Sequence, residues 1–192
     1  MPALRSTSLR WGGGNVPVDP HSIEEVGRNP ASVDRFLADA TAMVKLEASP
    51  AIGDVATDGY DAVFLPGGHG TMWDMPENAT LAALLSDAWA GGKVVAAVCH
   101  GPAGLVGVTD ENGKPLVAGR VISAFTNEEE EIAGLTKQVP FLLETRICDL
   151  GARYESGAAF QPFARRDGKL VTGQNPQSSG EVARLVLEAA RG

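Results

Sequence analysis

The sequence predicts an α/β protein with a mainly parallel sheet. Three observations predict it. Short apolar runs, Asp61-Ala62-Val63-Phe64-Leu65-Pro66 and Leu170-Val171-Thr172-Gly173 among them, end abruptly at Gly or Pro. Helical patterns of about 10 to 15 residues fall between these runs, the alternation that builds parallel strands joined by crossover helices. The run Val94-Val95-Ala96-Ala97-Val98 has no polar face at all, as expected of a strand covered on both sides.

Residues 1–15 show no period and lead through Trp11-Gly12-Gly13-Gly14 into a loop. Val16-Pro17-Val18-Asp19-Pro20 reads as extended, because a residue before Pro is pushed out of the helical region. Ser32 or Pro30 opens a helix to about Glu47, with Val33, Phe36, Leu37, Ala40, Met43 and Val44 near one face; Ser49-Pro50 ends it. Tyr60 to Pro66 is a strand running into Gly67-Gly68-His69-Gly70. Glycines there let backbone N–H groups approach a ligand or an oxyanion, or simply form a tight turn. The spacing fits neither a dinucleotide fingerprint nor a P-loop. Trp73 and Met75 wall a pocket beside this loop or pack beneath it. Pro76 to Ala90 is an amphipathic helix on Leu81, Leu84, Leu85, Ala88 and Trp89, ended by Gly91-Gly92.

Asp110-Glu111-Asn112-Gly113 is a turn, and Arg120 to Phe125 the next strand. It runs into Thr126-Asn127 and four glutamates, Glu128 to Glu131. Asn127 is the expected N-cap, and acidic residues suit a first helical turn. Val139 to Leu150 is a helix opened by Pro140, with Cys148 read as a packing residue. Tyr154 and residues 160–164 are short extended pieces. Arg165-Arg166-Asp167-Gly168 is a hairpin-like turn, Leu170 to Gly173 the last strand, and Glu181 to Arg191 the closing helix.

The chain has 192 residues, enough for a single domain over 1–192, with 1–11 irregular. A net charge of −8 argues against a nucleic-acid surface. No apolar run reaches the ~18 residues of a membrane span, and the N-terminus lacks the apolar core of a secretory signal. Two cysteines make no disulfide framework, so a cytoplasmic location is expected.

The chemistry concentrates at Cys99-His100-Gly101-Pro102, where the apolar strand stops. Pro102 suits a first helical turn, so the pattern is strand, sharp turn, helix, with a thiol on the turn. A thiol at a helix N-terminus is favoured as thiolate, and His100 is a proton acceptor next door. A small buried Cys is the alternative.

The strings Asp61 to Gly70, Ala96-Ala97-Val98-Cys99-His100-Gly101-Pro102, Phe125-Thr126-Asn127 with its glutamates, and Thr172-Gly173-Gln174-Asn175-Pro176 resemble the ThiJ/PfpI superfamily, which is class I glutamine amidotransferase-like. The branch they resemble most is the glyoxalase III and heat-shock-chaperone-like one. The resemblance implies a flavodoxin-like sandwich with helices on both faces of the sheet. It implies Cys99 as nucleophile, His100 as its partner, and Glu130 or its neighbour Glu129 as the acid. It places the oxyanion hole at Gly68 and the backbone N–H of His100, and the substrate pocket at Gly67, His69, Trp73, Asn127, Gln174 and Asn175. The implied activity is a cofactor-free, metal-free lyase of D-lactate dehydratase type, converting methylglyoxal to lactate. A Cys hydrolase, or a non-catalytic chaperone or redox-stress protein, is the alternative. A homodimer is expected, with no nucleic-acid or membrane partner. Family members carry a strand–helix–strand unit before the segment found here at residues 13–20, so the resemblance implies a chain without that first unit. Its first strand bears a Glu that hydrogen-bonds the thiol, and residues 1–11 contain no acid to replace it.

Overall fold

The computed structural model describes residues 6–18, 20, 23 and 28–192. The chain divides into two compact units, up to Val55 and from Ala56 onward. In the first unit, the stretch expected to be frayed is paired: Arg10 bridges Ala51 and Gly14 bridges Ser49. Of the extended 16–20 stretch, Asp19 lies outside the described residues. The single helix expected to Glu47 is two, α1 (Ala31–Leu37) and α2 (Ala40–Glu47). Asp39 divides them, because its carboxylate accepts from the N–H groups of Thr41 and Ala42 and so caps a new start. The apolar face is not buried, and Phe36 and Val44 are exposed.

The second unit carries the sheet. Its elements are β1 (Ala62–Leu65), α3 (Thr71–Asp74), α4 (Ala79–Ala90), β2 (Val94–Val98), β3 (Val121–Ile122), α5 (Asn127–Ile132), α6 (Leu143–Asp149), β4 (Arg153–Tyr154), β5 (Ala164–Asp167), β6 (Leu170–Gly173) and α7 (Ser179–Arg191). The four-stranded sheet runs β1-β2-β6-β5; β1, β2 and β6 are parallel and β5 is antiparallel to β6. β3 and β4 form a short parallel pair.

All five residues of β2 are buried, as its unbroken apolar run requires. Val94, Ala96 and Val98 pack in one cluster with Val182 and Ala189 of α7. By the pleat, Val95 and Ala97 face the other way, the side from which α4 meets β1 and β2. Helices thus cover both faces of this parallel core.

Several boundaries differ from expectation. α4 starts at Ala79, not Pro76, because Asn78 caps it, its side chain accepting from Leu81 N at 2.9 Å. The strand expected over Arg120–Phe125 is two residues long. Beyond it, Ser123 N donates to Thr172 Oγ1 and Phe125 N to the Cys99 carbonyl, which replaces a regular ladder. Thr126, not Asn127, caps α5, in a capping box with Glu129. α6 begins three residues after Pro140, and Cys148 faces solvent instead of packing. Arg165 to Asp167 belong to β5, and the turn itself is Gly168-Lys169.

The close approach of β1's loop to the end of β2 depends on small residues. A Cβ on Gly67 would lie 2.6 Å from Cys99 Cβ, and one on Gly101 would overlap the Leu65 carbonyl. Gly101→Ala should therefore cost about 2–3 kcal/mol, read as a lower urea midpoint. Gly180→Ala in α7 meets nothing within 4 Å and should be neutral or stabilising by up to about 1 kcal/mol. Equal effects of the two would contradict this packing.

Candidate active site

β2 delivers the thiol. Cys99 N donates to the Gly173 carbonyl at 2.9 Å, tying the strand's end to β6. The next turn forces Cys99 to φ 61°, a left-handed conformation that a non-Gly residue holds only when its surroundings impose it. The helix expected after it is a five-residue 3₁₀ segment, Gly101–Leu105, buried throughout. β1 delivers a second loop. Thr71 Oγ1 donates to the carbonyls of Gly68 (2.7 Å) and His100 (3.2 Å), which clamps this loop to the elbow. Nothing in the sequence singled out Thr71.

Cys99 Sγ lies 3.3 Å from His100 Nδ1. His100 Nε2 lies 2.8 Å from Glu130 Oε2. His100 and Glu130 are 0% and 2% exposed. A buried carboxylate only accepts, so His100 Nε2 carries the hydrogen and Nδ1 presents its lone pair to the thiol. The Phe125 ring lies against His100, centroids 4.3 Å apart, and holds the imidazole plane from one side. Phe125 ended the predicted strand; its place against the imidazole had no signal in the sequence.

The thiol is not ionised at rest, which corrects the expectation of a thiolate. Burial pushes Cys99 from 9.0 up to about 11, against the N–H groups of Gly68 and His100 that donate to it; Glu129 and Glu130 add to the rise. A short 3₁₀ segment supplies little dipole to oppose this. Burial likewise lowers His100, with Glu130 pulling the other way. Thiol and imidazole therefore rest as a neutral pair. The two N–H groups on Sγ are the ones placed to receive an oxyanion formed at an attacked carbonyl.

The glutamates separate cleanly. Glu130 meets His100, while Glu129 does not. Glu129 Oε1 accepts from Phe160 N (2.7 Å), Gln174 Nε2 (3.0 Å) and Asn175 Nδ2 (2.8 Å). Its Oε2 accepts from the N–H and hydroxyl of Thr126, both at 3.0 Å. Burial pushes the Glu129 carboxyl up, but Thr126, Asn175, Phe160 and Gln174 outweigh it and hold the carboxyl below its ordinary value. As the acid alternative to Glu130, Glu129 is thereby replaced by a structural role. Gln174 and Asn175 are corrected too: expected in the pocket, both are fully buried partners of Glu129. Asn127 Nδ2 donates to Thr145 Oγ1 on α6 at 2.9 Å. Trp73 is exposed, and Gly67 lies against Cys99. His69, expected only as pocket lining, reaches the second oxygen of Glu130 at 2.9 Å.

His69, His100 and Glu130 are also the one group among the described residues with metal-ligand atoms mutually close, all within 4.8 Å. A cation there would displace both imidazole N–H hydrogens from Glu130 and free His100 from its acid. No helix among the described residues is long and apolar enough to cross a membrane.

Fold and site define a flavodoxin-like α/β protein with a Cys–His–Glu series on a strand-end elbow. The model of the DJ-1/PfpI family matches residues 31–189, and the chain belongs to that family; the ThiJ/PfpI motifs of its sequence point to the same one. The Saccharomyces cerevisiae glutathione-independent glyoxalase HSP31 is 36% identical over 146 residues, 72% of this chain and 61% of the relative. The Francisella tularensis Rapid Encystment Protein 24 KDa superposes with TM-score 0.85 at 39% identity, covering 93% of this chain and 78% of that one. The crystal structure of glyoxalase III from Candida albicans gives 0.79 at 32%, covering 89% and 74%. The chain spans only about 60% of the length of the curated relatives it matches.

Two measurements check the electrostatics. Below pH 9 the folded and unfolded chains both hold the Cys99 proton; above it the unfolded chain releases the proton first. Stability should therefore fall between pH 9.0 and about 11, and Cys99→Ala should remove that part of the alkaline loss. Glu129→Gln puts an amide donor among donors, and a loss of about 3 kcal/mol in thermal unfolding is expected.

Proposed function

We propose that the protein is a Cys-dependent, cofactor-free lyase of glyoxalase III type, converting 2-oxoaldehydes such as methylglyoxal to 2-hydroxy acids. The observation that carries this reading is the thiol 3.3 Å from an imidazole nitrogen whose ring is locked by Glu130 at 2.8 Å. The names of the relatives from Saccharomyces cerevisiae and Candida albicans support it. A glyoxalase that needs no glutathione needs a thiol of its own, and Cys99 is placed to be that thiol.

Sγ attacks the aldehyde carbon, and the thiol proton passes to His100 Nδ1. The oxygen's charge falls to the N–H groups of Gly68 and His100, and Glu130 stabilises the transient imidazolium. His100 returns the proton to oxygen, which completes a hemithioacetal. A proton then moves from the aldehyde carbon to its neighbour and leaves a thioester of the 2-hydroxy acid. Water cleaves the thioester and restores the thiol. One water is added overall and no external oxidant is needed.

The family match over residues 31–189 supports reading 1–192 as one domain. By the same resemblance the protein is a cytoplasmic homodimer with a small-molecule aldehyde as substrate. A single-chain mass in sedimentation would remove the dimer from the proposal.

Cys99→Ala should abolish lactate formation from methylglyoxal while the unfolding transition persists. Glu130→Gln should lower kcat by about 10²–10³-fold through loss of the imidazole's fixed tautomer. Lactate formation by Cys99→Ala at the unaltered rate would falsify the proposal.

A further inference from the structure

Glu130 holds two histidines. His100 Nε2 is 2.8 Å from Oε2, and His69 Nε2 is 2.9 Å from Oε1. A carboxylate with both oxygens engaged by ring nitrogens accepts a hydrogen from each. Both imidazoles are then in the same state: Nε2 carries the hydrogen and Nδ1 the basic lone pair. For His100 that lone pair faces Sγ, 3.3 Å away. For His69 it belongs to a ring 4.1 Å from the His100 ring, centroid to centroid, on the residue following Gly68, whose N–H meets the same sulfur.

The two rings differ in access. The His100 side chain is 0% exposed and that of His69 is 35% exposed. Among the described residues of this hydrogen-bonded series, His69 is the titratable one whose side chain reaches solvent. The carboxylates are engaged elsewhere: Glu129 accepts five hydrogen bonds from Thr126, Phe160, Gln174 and Asn175, and Glu130 holds both imidazoles.

The reaction proposed above needs a base twice. The first removes the proton from sulfur, and His100 has that task. The second removes the hydrogen on the former aldehyde carbon of the hemithioacetal, which is acidified by the neighbouring carbonyl. We infer that His69 is this second base, a catalytic residue acting on substrate carbon through Nδ1. In the step, the C–H bond breaks and its proton goes to His69 Nδ1. The electron pair forms an enediolate with the neighbouring carbonyl, whose oxygen takes the hydroxyl proton of the first carbon. Return of the proton from His69 Nδ1 to the second carbon then yields the thioester. Atoms and electrons balance without a further reactant. Glu130 offsets the positive charge on whichever imidazole is protonated, so one buried anion serves two bases in turn.

This inference rests on the lyase reading, and the experiment separates the two. His69→Gln keeps an amide N–H donor for Glu130 and removes the basic nitrogen. Turnover of methylglyoxal should fall about 100-fold or more in kcat, with KM changed less than about threefold. Methylglyoxal carrying deuterium on the aldehyde carbon should show a larger isotope effect on kcat in His69→Gln than in the unsubstituted protein. Alkylation of Cys99 by iodoacetamide should keep its rate within about twofold, because the Cys99–His100–Glu130 series is intact. A His69→Gln kcat within about threefold of the unsubstituted protein overturns the inference and leaves the lyase reading standing. So does a fall in Cys99 alkylation that matches the fall in kcat, since His69 would then act only through Glu130. An unsubstituted protein that forms no lactate overturns the lyase reading, and the inference with it.

Discussion

One carboxylate, Glu130, organises the site. It is almost fully buried, and its two oxygens meet two imidazoles from two loops, one after β1 and one after β2. Such a group is costly to bury unless it is well hydrogen-bonded, and these contacts stabilise it. Its position depends on a chain of fixations reaching well beyond it. Phe125 N holds the Cys99 carbonyl, Thr126 caps α5, and Glu129 locks the first turn of α5 to the Phe160 backbone and to Gln174 and Asn175 behind β6. A rotation of α5 large enough to move Glu130 would have to break that cluster. Phe160 itself sits at φ 55°, so its backbone too is held in place by what surrounds it.

The parallel sheet explains why these loops meet at all. β1, β2 and β6 point the same way, so their C-terminal ends deliver Gly67 to Gly70, Cys99 to Gly101, and Gln174-Asn175 to one edge. Ligand sites of open parallel sheets form there for the same reason. Glycines at 67 and 101 let the first two loops approach closely enough for an amide of one to reach the sulfur of the other. The close approach excludes water from the thiol and also raises its pKa.

That rise changes the chemistry one should picture. A preformed thiolate would need a positive field, and Cys99 has instead a neutral imidazole and two nearby anions. For the proposed reaction this means a thiol that gives up its proton to His100 by general-base transfer at the moment of attack.

The sequence by itself determined the local elements: a two-sided apolar strand at 94–98, the elbow that follows, the glycine loop at 67–70 and the closing helix. These depend on periodicity and on Gly and Pro, which act over a few residues. It also marked Cys99 as the candidate nucleophile, and the resemblance to the ThiJ/PfpI superfamily offered Glu130 or Glu129 as its acid. Only the tertiary structure shows that Glu130 and not Glu129 meets His100, since adjacent residues on a helix point about 100° apart and the contact depends on how α5 is anchored. The roles of His69, Gln174 and Asn175 were equally hidden, because each depends on a partner 45 to 61 residues away in the chain. The protonation of Cys99 was beyond local reading for the same cause: burial is a property of everything packed around an atom, and no motif records it.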